Sequence, residues 1–137
     1  MIFQQKIVTI MRNMEADIAK ICSKTFEKIC TLFAEKQYDE VVCISDNLIA
    51  MLEKNGLDET IEYSEAMEWF GRAEFHRGNY AMAEAGFSFA YNVRAKILGN
   101  DLEKSNQLLL KLKTVRLIRK KLEQSHNVTS GTEKELL

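Results

Sequence analysis

The sequence predicts an all-α fold, and three observations predict it. Among 137 residues there is no proline and there are only six glycines, so few positions force a turn or remove a helix hydrogen bond. Ala, Leu, Glu, Lys, Met and Arg supply much of the chain, and these residues form helices most readily. Apolar residues recur at three- and four-residue steps, and no Asn-Gly or Asp-Gly pair sits between alternating strands.

The length fits one domain with a core of modest size. Formal net charge is −1, so no whole-chain field steers the protein to nucleic acid or membrane. The three cysteines, Cys22, Cys30 and Cys43, form no CxxC pair and have no histidine nearby. That argues against zinc or a disulfide framework and suits reduced, buried thiols. No apolar run approaches the ~20 residues that span a bilayer, and Met1–Met14 lacks the features of a signal peptide. A soluble intracellular protein, in nucleus or cytoplasm or both, is the expectation.

Six helices follow in order. The first covers about Ile2 to Ala19, with Ile7, Ile10, Met11, Met14 and Ile18 on its stripe. The second runs from Ser23 to Glu35 and carries Phe26, Ile29, Cys30 and Phe33. The third starts near Tyr38. Val41, Val42, Ser45, Leu48, Ile49 and Leu52 form its stripe, and Asn55-Gly56 closes it. Asp58 opens the fourth, with Glu59 and Glu62 in the first turn where the helix dipole favours acids. It passes Phe70 and Ala73 and stops at Gly78. The fifth spans Tyr80 to Leu98 and ends at Gly99-Asn100. The sixth begins at Asp101 and reaches Gln124. Residues 1–124 are thus one helical domain, and the polar residues 125–137 are expected to be a disordered tail.

An internal repeat carries the functional reading. Phe70-Gly71 is followed by Gly78-Asn79-Tyr80, then Ala83, Phe87 and Ala90. Gly71 and Ala83 are small, so two helix backbones can approach. Gly78 permits a tight turn, and Tyr80 wedges beneath it. Ala83, Phe87 and Ala90 fall on one face. A weaker copy lies upstream: Lys36 aligns with Gly78, Tyr38 with Tyr80, Val41 with Ala83, Ser45 with Phe87 and Leu48 with Ala90. The two tyrosines are 42 residues apart.

This pattern resembles the tetratricopeptide repeat. Glu74 stands where a tyrosine is common, and neither copy ends in proline. The resemblance implies antiparallel helix pairs, a short right-handed α-solenoid, and a non-catalytic module that binds other proteins. Its packing positions here are Tyr38, Val41, Leu48, Phe70, Gly71, Gly78, Tyr80, Ala83, Phe87 and Ala90. Across residues 26–98 the order and spacing of Ala34-Glu35-Lys36-Gln37-Tyr38, Asp46 to Asn55 and Arg77-Gly78-Asn79-Tyr80 are similar to the amino-terminal region of the subunit-seven family of the anaphase-promoting complex. That similarity implies a scaffold in a cell-cycle ubiquitin ligase that self-associates as a homodimer through its amino-terminal repeats. Chains of that family are much longer, so this one would be an amino-terminal fragment or a reduced relative, and residues 1–24 have no recognised counterpart in it. Tyr91 to Asp101 also resembles the repeat ends of the kinesin light chain family, whose repeats of about 42 residues bind peptides.

Other constellations point away from catalysis. His76 and His126 are far apart in sequence, and His76 sits at a helix end, where imidazoles meet terminal carbonyls. No phosphate-cradling loop or Gly-x-Ser-x-Gly elbow is present. Glu62, Glu65 and Glu68 step by three and drift around the helix rather than converge. No cofactor, metal, small-molecule substrate, nucleic acid or membrane is expected. Between Leu102 and Leu122 the sixth helix sets Lys104, Lys111, Lys113, Arg116, Arg119, Lys120 and Lys121 against the single acid Glu103, with Leu108, Leu112, Val115, Ile118 and Leu122 as its apolar stripe. Lys113, Arg116, Arg119, Lys120 and Lys121 are a candidate contact surface. A basic amphipathic helix of this kind can bind calmodulin or anionic membrane, but a helix that caps the end of the stack is preferred.

Overall fold

The computed structural model of the chain describes the backbone of residues 2–99 and 102–136, and side chains as far as Ser125 except those of Leu102 and Lys104. Among the described residues five helices make up the fold: α1 (Ile2–Ala34), α2 (Tyr38–Lys54), α3 (Ile61–His76), α4 (Tyr80–Leu98) and α5 (Leu102–Leu136). No strand occurs among the described residues.

The expected first two helices are one. Ser23 reads as a helix start, yet residues 19–23 contain neither glycine nor proline, and nothing there stops propagation. Thr9, Thr25 and Thr31 donate to the carbonyls of Gln5, Ile21 and Glu27, which keeps these β-branched residues satisfied inside the helix. With 33 residues α1 is about 50 Å long, twice the length of the 17-residue α2. Its first half therefore runs past everything that packs on it. The α5 backbone likewise continues through Leu136, beyond the boundary expected at Gln124. Gly131 is the poorest helix former among those last residues.

Successive helices run antiparallel. Along α3 and α4 the contacts pair Phe75 with Tyr80, Gly71 with Phe87 and Ser64 with Arg94. Along α2 and α3, Arg77 meets Asp39 at 2.8 Å and the Tyr63 hydroxyl donates to Glu53 at 2.9 Å. Three hydrophobic clusters fill the interfaces. Cys22, Leu48, Ile49, Leu52, Tyr63 and Ala66 join α1, α2 and α3. Ile29, Val41 and Ala73 join the same helices nearer the turns. Ala83, Phe87, Ala90, Leu108, Leu112 and Val115 join α4 to α5.

The helix ends follow from local chemistry. Thr60, not Asp58, caps α3: its hydroxyl oxygen accepts the Tyr63 N–H at 3.3 Å. Asp101 lies outside the described residues. Of the cysteines only Cys22 is buried. Cys30 follows the buried Ile29 and so points about 100° away from it around the helix, which corrects its expected place on the apolar face. Burial, then the charges of Glu62 and Glu65, raise the Cys22 pKa, so its thiol stays protonated.

Candidate protein-interaction surface

The α1–α2 and α3–α4 corners have the same construction. At the end of α3, Arg77, Gly78 and Asn79 donate their N–H groups to the carbonyls of Ala73, Phe75 and Glu74 at 3.0, 3.0 and 2.9 Å. At the end of α1, Glu35, Lys36 and Gln37 donate to Thr31, Phe33 and Leu32 at 3.0, 3.0 and 2.8 Å. This is a helix stop with a left-handed residue, Gly78 at φ 82° and Lys36 at φ 62°. Each corner also holds an edge-to-face aromatic pair, Phe75–Tyr80 at 5.4 Å and Phe33–Tyr38 at 5.3 Å. Val41, Ser45 and Leu48 in α2 are buried like Ala83, Phe87 and Ala90 in α4. All of these correspondences hold at the 42-residue spacing.

The expected packing positions divide by burial. Val41, Leu48, Gly71, Ala83, Phe87 and Ala90 are buried, Tyr38, Phe70 and Tyr80 are half-buried, and Gly78 is exposed in its turn. Gly71 faces the Ala83 carbonyl and the Phe87 ring. A Cβ at Gly86, which sequence reasoning did not single out, would in turn meet the Gly71 backbone at 3.0 Å. The signal was present, because Gly86 lies three residues from Ala83 and four from Ala90, on the same small-residue face.

Glu74, which replaces the customary tyrosine, is buried and holds the α3–α4 corner. It accepts from the Arg77 guanidinium at 2.5 Å and from the Asn79 side chain at 2.8 Å. Arg77 also reaches Asp39 of α2. His76 does not meet terminal carbonyls as expected. It stacks on Tyr38 at 4.7 Å with rings nearly parallel, and meets Phe33 and Phe75 edge-on. The aromatic side chain at the equivalent corner captures it first.

A second polar centre ties three helices together. The buried Arg94 of α4 donates to the Ser64 hydroxyl oxygen at 3.3 and 3.2 Å and to Glu68 at 3.1 Å, both on α3. Lys111 of α5 reaches the other Glu68 oxygen at 2.5 Å. Burial opposes ionisation of Glu68, but the Lys111 hydrogen bond and charge, with those of Arg94, outweigh it and hold its pKa below the ordinary value. Glu68 thus becomes a half-buried tie between α3, α4 and α5.

Between α3 and α5 lies an open, mainly apolar cleft of about 310 Å³. Phe75, Phe87 and Val115 line it with Leu110 and Thr114, and Arg72 and Lys111 stand at its rim. Arg72 is held over the Phe33 and Trp69 rings, 4.7 and 4.3 Å from their centroids.

The candidate basic surface on α5 is partly committed. Arg116 and Arg119 both bind Glu84 of α4, Arg116 at 3.2 Å. The Arg119 hydrogen bond, against some desolvation, and then that of Arg116 lower the Glu84 pKa. Lys113, Lys120 and Lys121 remain exposed. The expected α5 stripe is buried at Leu108, Leu112 and Val115, half-buried at Ile118 and exposed at Leu122. Among the described residues no group of three His, Cys, Asp or Glu side chains is placed to hold a metal, and no helix is long and apolar enough to cross a membrane. The side chain of His126 is outside the described residues. Comparison with family models, with curated proteins and with solved structures found no match to this chain.

Proposed function

We propose that this chain is a non-catalytic interaction module of tetratricopeptide-type helix pairs, whose partners are other proteins and a second copy of itself. One observation carries the reading: the α1–α2 and α3–α4 corners repeat the same three backbone hydrogen bonds and the same edge-to-face aromatic pair at a spacing of 42 residues. A repeated corner sets successive helix pairs at the same angle, which is how such modules make a continuous right-handed stack with an open face. The similarity of residues 26–98 to the subunit-seven family of the anaphase-promoting complex gives the reading its most specific form, a scaffold subunit of a ubiquitin ligase. A peptide-binding adaptor, as the likeness to the kinesin light chain family implies, would use the α3–α5 cleft. The calmodulin or membrane reading of α5 is weaker, because Leu108, Leu112 and Val115 are buried and Arg116 and Arg119 pair with Glu84.

Affinity purification of the full chain from its own cells, beside a Leu110→Arg, Thr114→Arg variant, tests the reading. Leu110 and Thr114 are exposed, so the variant blocks the cleft without touching the core. A defined set of proteins bound by the original chain and lost by the variant is expected for a cleft-binding adaptor. A set retained by both assigns the scaffold contacts elsewhere on the stack. A chain that recovers no defined partner overturns the proposal.

A further inference from the structure

The first half of α1 presents an apolar face that nothing among the described residues covers. Ile7, Met11 and Met14 are exposed, although by steps of three and four they lead into Ile18, Cys22 and the buried side of the same helix. Phe3, Ile7, Ile10, Met11, Met14 and Ile21 are exposed and fall within about a third of the helix circumference, and the middle of that stretch lies near residue 12. A contiguous face of this size on a soluble chain marks a contact surface.

We propose that this face pairs with a second copy of itself, antiparallel, about a two-fold axis between residues 11 and 12. The proposal rests on the self-association in the reading above and gives it a place and a direction. The charges beside the stripe choose the partner. Lys6 and Asp17 are eleven residues apart, about three helical turns, so they share one flank of the apolar face. Their midpoint falls between residues 11 and 12. In an antiparallel pair the same flanks of the two helices meet with direction reversed. Lys6 then stands beside the partner's Asp17, and by symmetry the contact occurs twice. Among the described residues neither is in an ion pair within the chain. In a parallel pair opposite flanks meet at the same level. Asp17 would then face the partner's Glu15, acid against acid, which costs stability.

Size agrees with this partner. The exposed apolar side chains of two copies, with their flanks, bury on the order of 1,000 Å², about the least a specific pair requires. The two helical bodies, anchored beyond residue 18, lie at opposite ends of the paired segment.

Sedimentation equilibrium of the full chain at micromolar concentration tests the proposal, with circular dichroism to confirm that each variant folds. The original chain is expected to dimerise. Met11→Glu with Met14→Glu lowers the association constant by more than about a hundredfold, because charges replace the centre of the face. Lys6→Glu and Asp17→Lys each weaken it by about tenfold, and the double reversal restores it to within about threefold. A dimer unmoved by any of these variants keeps the self-association reading and overturns the site. A dimer that the methionine changes abolish and both single reversals leave intact overturns the antiparallel register. A chain that stays monomeric overturns both, and if that monomer floats with anionic vesicles the face belongs to a lipid surface.

Discussion

Gly86 meets Gly71 across the α3–α4 contact: a Cβ on Gly86 would lie 3.0 Å from the Cα and the N of Gly71, and 3.0 Å from the Met67 carbonyl oxygen. All three atoms belong to backbone, so the helices themselves would have to part. Gly86→Ala gains about 1 kcal/mol of helix propensity but meets an overpacking cost of about 1–3 kcal/mol. We expect a net loss of up to about 2 kcal/mol in urea unfolding. At Gly71 the new Cβ meets mainly the Phe87 ring, which can yield by tenths of an ångström, although the Ala83 carbonyl at 3.1 Å cannot. Gly71→Ala should therefore lose less than Gly86→Ala. The reverse order would show that the ring, not the backbone, limits the approach.

Lys36 occupies the left-handed conformation that Gly78 adopts in the matching corner, at φ 62° against 82°. A side chain in that region is strained by roughly 1–2 kcal/mol, and glycine is not. Glycine also raises the entropy of the unfolded chain, which takes back part of the gain. Lys36→Gly should stabilise the protein by about 0.5–1 kcal/mol, and Gly78→Ala should cost about 1 kcal/mol. Thermal or urea unfolding of the two variants compares the corners directly. A destabilised Lys36→Gly would mean that the lysine side chain holds the first corner by a contact of its own.

The corners were legible in the sequence because they are local. Gly78, Tyr80, Ala83, Phe87 and Ala90 act within a few turns of one another, and their spacing shows which face they share. The stop at Gly56 is local in the same way. The polar tie was not legible: Glu68 finds Arg94 and Lys111 at separations of 26 and 43 residues, and nothing in a helical stripe says which distant cation will arrive. The same limit explains Arg116 and Arg119, which read as a free basic face and instead hold Glu84. It also explains α1. The stripe through Ile7, Met11 and Met14 shows an apolar face, but periodicity does not say whether the chain is long enough to cover it.

Ser45 stands where the matching corner has Phe87. It is fully buried, and its hydroxyl has no hydrogen-bond partner among the described residues. An unsatisfied buried hydroxyl costs about 1–3 kcal/mol, whereas alanine removes it, leaves a small void and favours helix. Ser45→Ala is expected to raise stability by about 0.5–1.5 kcal/mol. A loss of more than about 0.5 kcal/mol in chemical unfolding would show that the hydroxyl is bonded in solution.

The tie at Glu68 sets a pH dependence. Its pKa in the folded chain lies below the ordinary 4.5, because the favourable charges and hydrogen bonds of Lys111 and Arg94 overcome its burial. The unfolded chain therefore binds a proton first as pH falls. Stability from Glu68 is complete above about pH 4.5 and declines as pH drops toward and through the lowered folded value. Glu68→Gln keeps the shape but leaves Arg94, whose side chain is only 10% exposed, facing a neutral partner. Removing one charge of such a pair costs about 3–5 kcal/mol when it is fully buried. Retention of an amide oxygen and the partial exposure of Lys111 reduce that here, to about 1–3 kcal/mol at neutral pH. Urea unfolding from about pH 7 to about pH 3 should show the variant's deficit shrinking as Glu68 in the original chain takes up its proton. A deficit that stays constant across that range would mean that packing, and not the charge of Glu68, joins α3 to α4 and α5.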